Sequence, residues 1–301
     1  MCGIVGLFLK NPALAGDLGR HLTTMLVGMT DRGPDSAGIA VYTRPDGVLK
    51  LTLFHPDTGY PWREVGGQLG QALGVEDDVE IKANHAVLAL KGADEKAARA
   101  WLARHHPEVR VMGWGRAMEV YKDMGRPADV ASKFHVGAMG GTHGIGHTRM
   151  ATESAVTTEH SHPFTAAADT CLVHNGSLSN HNRLREWLKR HGMEFETDND
   201  TEVAARYFAH RIREGATLKE AMEAGLKDLD GFYTFAMGTA DGFAVLRDPI
   251  ACKPAVLAET DDWVAMASEF RSLANLPGIA KASIWEPAPA VVYTWSLGGN
   301  A

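Results

Sequence analysis

Apolar positions begin at the start of the chain. Ile4 to Leu9 is a compact apolar run of strand length, bounded by Lys10-Asn11-Pro12, and it predicts a buried strand. Leu18, Leu22, Met25, Leu26 and Met29 then recur at helical spacing within residues 17–29, and Ala37 to Tyr42 predicts a second strand. Between them lies Asp31-Arg32-Gly33-Pro34-Asp35-Ser36, polar and broken by glycine and proline, and therefore a loop.

Residues 45–136 differ in pattern from what flanks them. Val79 to Leu90 predicts a strand or hairpin, Asp94 an N-cap, and Ala97, Ala98, Trp101, Leu102 and His105 one face of a helix. Val109 to Met112 adds a short strand, and Pro127 with its neighbouring glycines marks the far end. This strand–helix–strand order is that of an inserted small α/β subdomain.

From Gly144 the chain returns to strand and loop. Thr170 to His174 predicts a strand closed by an Asn175-Gly176 turn. Helices follow at 181–191, after Asp200, and at 217–229. The strands Phe232–Met237, Phe243–Leu246, Ala255–Leu257, Val264–Ala267 and Ala290–Trp295 complete the chain. Strands, then helices, then strands, without βαβ alternation, predict an α+β fold with antiparallel sheets.

Composition narrows the class. Of 301 residues, 45% are hydrophobic and 22% charged, which supports a sizeable core and excludes global disorder. The balance of 30 basic against 37 acidic residues, a net of -7, argues against a general grip on nucleic acid or anionic membrane. No apolar run approaches the ~20 residues of a spanning helix. Three scattered cysteines, Cys2, Cys171 and Cys252, fit a reducing compartment, and no basic leader precedes the first apolar run, so the expected location is the cytoplasm.

Four features carry candidate chemistry. Removal of the initiator methionine would leave Cys2 with a thiol and a free α-amine on one residue, and an amine titrating near ~7.7–8.0 can serve that thiol as its base. An inert buried cysteine is the other reading. Asn175 and Gly176 follow a strand and could supply two donors to an oxyanion, or simply turn a hairpin. Arg149 could hold a carboxylate through two parallel hydrogen bonds, or form a structural ion pair. Asp200 could bind an ammonium, or cap its helix. Taken together, a carboxylate grip, an ammonium grip, a thiol and oxyanion donors describe an α-amino acid with a side-chain amide.

The segments Met1-Cys2-Gly3-Ile4-Val5-Gly6, Arg32-Gly33-Pro34-Asp35-Ser36-Ala37-Gly38, Gly146-His147-Thr148-Arg149, His162-Pro163, His174-Asn175-Gly176 and Asp200-Thr201-Glu202 occur in the order found in a known family. Arg247-Asp248-Pro249 and Ala267-Ser268-Glu269 extend the match. The chain resembles the class II glutamine amidotransferases, the N-terminal-nucleophile glutaminases, end to end except across 45–136. The resemblance implies a four-layer αββα sandwich. It implies Cys2 as nucleophile, its α-amine as base, and Asn175 with Gly176 as the oxyanion hole. It further implies Arg149 and Asp200 as the grips on glutamine, Thr152 and His162 as further glutamine contacts, and Arg32 as a structural or positioning residue. Met150 stands where many relatives carry an aromatic residue, and Glu153 where sugar-phosphate relatives carry a histidine, both in the loop closing over glutamine.

Within that family the chain most resembles the stand-alone amidotransferase component of N-methylglutamate synthase and of other glutamate-synthase-like complexes. The resemblance implies a hetero-oligomer in which ammonia passes to partner subunits. Flavin and iron–sulfur clusters are expected in those partners and none in this chain, whose three cysteines lack cluster spacing. His160 and His162 have no accompanying ligand cluster, so no metal site is expected. The insert at 45–136 is read as a partner-docking subdomain, or as a passive elaboration. Two other readings remain: a silent amino-acid-binding or scaffolding subunit that keeps Met1, and an N-terminal-cysteine amidase for another γ-glutamyl amide.

Overall fold

The computed structural model describes residues 2–150 and 156–298; Met1 and Thr152 lie outside the described residues. In chain order the first elements are β1 (Gly3–Leu9), α1 (Leu18–Val27) and β2 (Ser36–Tyr42). Next come β3 (Val48–Phe54), α2 (Trp62–Leu73), β4 (Asp77–Lys82), β5 (His85–Lys91), α3 (Glu95–His105) and β6 (Arg110–Gly115). Then follow β7 (Met118–Met124), α4 (Pro127–Lys133), β8 (His143–Arg149), β9 (Phe164–Ala167) and β10 (Thr170–Leu178). The helices α5 (His181–Arg190), α6 (Asp200–Arg213) and α7 (Leu218–Asp228) precede β11 (Gly231–Thr239) and β12 (Gly242–Arg247). Last are β13 (Val256–Glu259), β14 (Trp263–Ala267), β15 (Ser283–Trp285) and β16 (Val292–Ser296).

Period-two alternation explains the layering. In β1, Val5, Leu7 and Leu9 face one way and pack with α1 residues Leu22, Met25 and Leu26. Ile4 and Phe8 face the other way, into a core shared with Cys171, Val173, Ala236, Phe243 and Val245 from the second sheet. That sheet turns Leu172, Phe235, Met237 and Leu246 outward against Leu188, Val203, Tyr207 and Phe208 of the helices. Helices, seven strands in the order β15-β13-β14-β1-β8-β2-β7, five strands in the order β16-β12-β11-β10-β9, then helices make the four-layer αββα sandwich of the N-terminal-nucleophile hydrolases. All paired strands of both sheets run antiparallel.

The subdomain is a separate sheet, β4-β5-β3-β6, closed on one face by α2 and α3 around Leu51, Trp62, Leu69, Leu88 and Leu102. Asp94 caps α3 by accepting from the Ala97 amide at 2.8 Å. Its extent differs from 45–136. β7 pairs along its length with β2 and forms the edge of the seven-stranded sheet, and α4 packs Val130 and Ala131 beneath that sheet. Pro127 is not a boundary but the first residue of α4, where its missing amide proton costs nothing. Local pattern does not say which sheet β7 joins; that is set by its pairing with β2.

Asn175-Gly176 is likewise not a turn. β10 runs through both residues to Leu178, with Asn175 opposite Thr234 and Gly176 opposite Tyr233 on β11. The pairing outweighs the local turn preference.

Candidate active site

Three strand ends meet at one end of the sandwich. Gly3 pairs with Thr148 in antiparallel register, so the next position outward sets Cys2 beside Arg149. Cys2 continues the alternation of Ile4 and Phe8, Arg149 that of Ile145, and Asn175 that of Cys171 and Val173, all members of the core between the sheets. The three side chains therefore project into the same inter-sheet space. Cys2 is half-buried and carries a free thiol. Asn175 is 2% exposed, and its amide nitrogen has no hydrogen-bond partner among the described residues. A buried amide left unpaired is costly, and its retention here leaves a donor for a ligand.

Gly176 is required where it stands. Its φ is +150°, and an added Cβ would lie 2.0 Å from the Phe232 carbonyl oxygen. No other residue lets β10 continue past Asn175 at this closeness to β11.

Arg32 fixes the start of β1. Its Nε donates to the Cys2 carbonyl oxygen at 2.9 Å, and its Nη1 reaches Glu269 Oε1 at 2.8 Å. Arg271 joins Glu269 to Asp31 at 2.8 and 2.9 Å, closing the loop before β2 against the segment after β14. Ser268 adds a reciprocal pair: its hydroxyl accepts from the Ile4 amide and its amide donates to the Ile4 carbonyl, both at 3.0 Å. These contacts leave the Cys2 side chain unused while holding its backbone.

Behind Asn175 a buried imidazole cluster links both sheets to α6. His147 Nε2 donates to the His174 carbonyl at 3.0 Å, and its ring stacks on His162 at 3.8 Å. The Thr201 hydroxyl stands 2.8 Å from His162 Nε2 and 2.9 Å from His174 Nδ1. Burial lowers His147 to about 3 and His162 well below the ordinary histidine value, so both rings are neutral at pH 7.

Asp200 is the first residue of α6; the cap is Asn199, whose side chain accepts from the Thr201 amide at 2.8 Å. The Asp200 carboxylate instead accepts the Leu178 amide at 2.9 Å and lies 3.7 Å from His174 Nδ1. Burial alone would raise its pKa, but the His174 ring and the Leu178 amide bring it down to about 2. An ionised carboxylate at a helix N-terminus is held at the far end of the strand that bears Asn175.

The structure thus brings Cys2, Arg149, Asn175, Gly176, Asp200, His162 and Arg32 to one end of the sandwich. In the sequence His147, His174, Thr201 and Glu269 show only as parts of motifs, with no role of their own. Each acts through contacts between segments distant in sequence, which no local spacing reveals. His160 Nε2 turns to Asp198 at 3.1 Å rather than joining His162, and no group of three or more His, Cys, Asp or Glu among the described residues is placed to hold a metal. No helix among them is long and apolar enough to cross a membrane.

The fold is that of the class II, N-terminal-nucleophile amidotransferases. The sequence profile of a glutamine amidotransferase domain matches residues 147–275. The chain is 55% identical over 98% of its length to the glutamine amidotransferase-like protein GlxB of Rhizobium meliloti (strain 1021), covering 98% of that protein. It is 32% identical over 97% of its length to a putative glutamine amidotransferase of Methanothermobacter thermautotrophicus, covering 99% of it. The chain belongs to the glutamine amidotransferase family. Among solved structures, the glutamine phosphoribosylpyrophosphate amidotransferase from B. subtilis superposes on 99% of the chain with a TM-score of 0.60 at 20% identity; the chain spans 50% of its length.

Proposed function

We propose that this chain is a glutaminase subunit that hydrolyses the side-chain amide of glutamine and passes ammonia to a partner synthase of the glutamate-synthase-like, N-methylglutamate synthase kind. The observation that supports it most is the buried, unpaired Asn175 amide, on the face of β10 that looks toward the sheet whose Gly3–Thr148 pairing leads out to Cys2 and Arg149.

In this proposal the α-amine of the processed Cys2 takes the thiol proton, and the sulfur attacks the side-chain carbonyl carbon of glutamine. Asn175 Nδ2 and the Gly176 amide stabilise the oxyanion. The tetrahedral intermediate collapses as the α-ammonium returns its proton to the leaving nitrogen, giving ammonia and a γ-glutamyl thioester. Water, activated by the same amine, attacks the thioester; glutamate leaves and the thiol is restored. Arg149 holds the substrate carboxylate and Asp200 its ammonium, a role suited to a carboxyl that is ionised down to about pH 2. Arg32 positions Cys2 through the carbonyl it binds.

Ammonia released at this mouth needs an acceptor. Met150, Phe232, Ile250 and Phe270 are exposed apolar residues on segments adjoining Arg149, Gly176, Asp248 and Glu269, which suits a rim covered by a partner. Flavin or iron–sulfur chemistry, in this proposal, sits in the partner subunits. Glutamine turnover by the wild-type protein, lost in Cys2→Ala and kept in Cys171→Ala and Cys252→Ala, is the expected result; turnover surviving Cys2→Ala would overturn the proposal.

A further inference from the structure

β7 is the strand on which the subdomain and the active-site end of the sandwich both depend. The subdomain grips it at successive residues: Lys50 pairs with Glu119 at 3.1 Å, the Thr52 hydroxyl accepts the Val120 amide at 3.2 Å, and Lys82 donates to the Tyr121 hydroxyl at 3.1 Å. The next two residues, Lys122 and Asp123, point to opposite sides and both hold the segment that leads into His162.

Lys122 is 4% exposed, and its ammonium donates to the carbonyls of Glu159, Ser161 and Pro163 at 3.2, 2.8 and 3.2 Å. Three donors meet three acceptors, so this cation is fully committed to one backbone path. The path lies directly on the sheet: Gly38 pairs with Lys122, and a Cβ at Gly38 would come within 2.0 Å of the His162 carbonyl oxygen.

Asp123 works as a bridge. Its Oδ1 accepts the Thr158 hydroxyl at 2.6 Å and the Met124 amide at 2.9 Å. Its Oδ2 accepts the Asn84 side-chain amide at 3.0 Å and the Lys133 ammonium at 2.5 Å. Asn84 belongs to the turn between β4 and β5, inside the subdomain, and its backbone carbonyl in turn accepts the His55 amide at 3.1 Å. One buried carboxylate therefore joins the subdomain's hairpin to the segment carrying His162, whose ring stacks on His147 and bonds Thr201.

We infer that Lys122 and Asp123 are positioning residues for the glutamine site, acting through residues 157–163 on His162, and that the Asn84–Asp123–Thr158 bridge couples the subdomain to that site. Because the bridging carboxylate is shared, a shift of the hairpin changes the bonds available to Thr158 without any contact between Asn84 and substrate. The inference rests on the glutaminase reading for the identity of the ligand, but the mechanical tie does not.

The test compares wild type, Asn84→Ala, Thr158→Val, the double variant and Thr158→Ser, using the full chain. Amide hydrogen exchange of residues 156–162 is read first, because it reports the tie whatever the ligand. Exchange should quicken in both single variants and return to the wild-type rate in Thr158→Ser. Glutamine turnover should then show KM raised roughly three- to tenfold with kcat within about twofold, the size of one lost buried hydrogen bond. The double variant should be no worse than the worse single one, since both cut the same bridge. Unchanged exchange in Asn84→Ala, unchanged KM, or additive effects in the double variant would overturn the coupling. A wild type that turns over no glutamine would count against the glutaminase reading, while the exchange comparison still decides the tie.

Discussion

His147 Nε2 donates to the carbonyl oxygen of His174 at 3.0 Å, across the gap between the two sheets. Arg149 ends the first of these strands two residues on, and Asn175 follows His174 directly on the second. One buried hydrogen bond thus sets the height of Arg149 against that of Asn175, the proposed carboxylate grip and oxyanion donor. His147→Phe keeps an aromatic ring against His162, somewhat larger than imidazole, but removes the donor. It should destabilise the fold by about 1–3 kcal/mol, the cost of stranding the His174 carbonyl, and lower kcat. Urea titration and steady-state glutaminase assays check both effects.

Asn175→Ala removes a side-chain amide whose Nδ2 has no partner among the described residues. The fold should keep its stability, and kcat should fall by about 10²–10³ with KM little changed, as for loss of one oxyanion donor. A variant that loses stability instead, with kcat intact, would make Asn175 a structural residue.

Asp200→Asn tests a group that holds the end of β10 and, in the proposed function, the substrate ammonium. The Leu178 amide can still be accepted by the remaining oxygen, so the end of β10 should hold. The lost charge should raise the KM for glutamine by roughly 10²-fold, the scale of a charge-assisted bond, while the KM effect disappears for an analogue lacking the α-ammonium. Equal effects on both substrates would contradict an ammonium contact.

Acid should weaken the fold through histidines that are buried neutral. Burial lowers His85 and His147 to about 3 and His143 to about 4. Each binds a proton in the unfolded chain near the ordinary value of ~6.5 but not in the folded one, so stability is full above that value and declines as pH falls toward about 4 and then 3. The urea midpoint should therefore drop between pH 7 and pH 5. His143, whose Nε2 meets the Thr239 carbonyl at 2.9 Å and whose ring stacks on Tyr42 at 4.3 Å, should show part of that slope, and His143→Gln should flatten it. A midpoint that rises on acidification would contradict neutral burial.

Much of this was legible in the order of residues. Ile4 to Leu9 declares a core strand because both faces of β1 are covered, whereas Cys2 and Arg149 each keep an inert or structural reading and become candidates only when the motifs are taken together. What stayed hidden depends on pairing. Asn175-Gly176 reads locally as a turn, and only β11 beside it makes it a strand. β7 reads as part of the insert because its partner β2 lies 76 or more residues earlier in the chain, as in the pairing of Tyr42 with Met118. Thr201 and His147 carry no signal beyond their motifs, because their work is to touch residues that sequence distance conceals. Val48–Phe54 and Trp62–Leu73 are hidden for another reason: their apolar faces are completed by each other and by β5, inside a small separate core.

The central claim is that the thiol of Cys2, beneath its own free amine, is the group that attacks glutamine. Treating the native protein with a glutamine-mimicking diazoketone and mapping the product by intact-mass and peptide mass spectrometry tests it directly. The account predicts a protein lacking Met1, carrying one adduct on Cys2, with labelling suppressed by glutamine. An adduct confined to Cys171 or Cys252, or an unlabelled active protein that retains Met1, would contradict it.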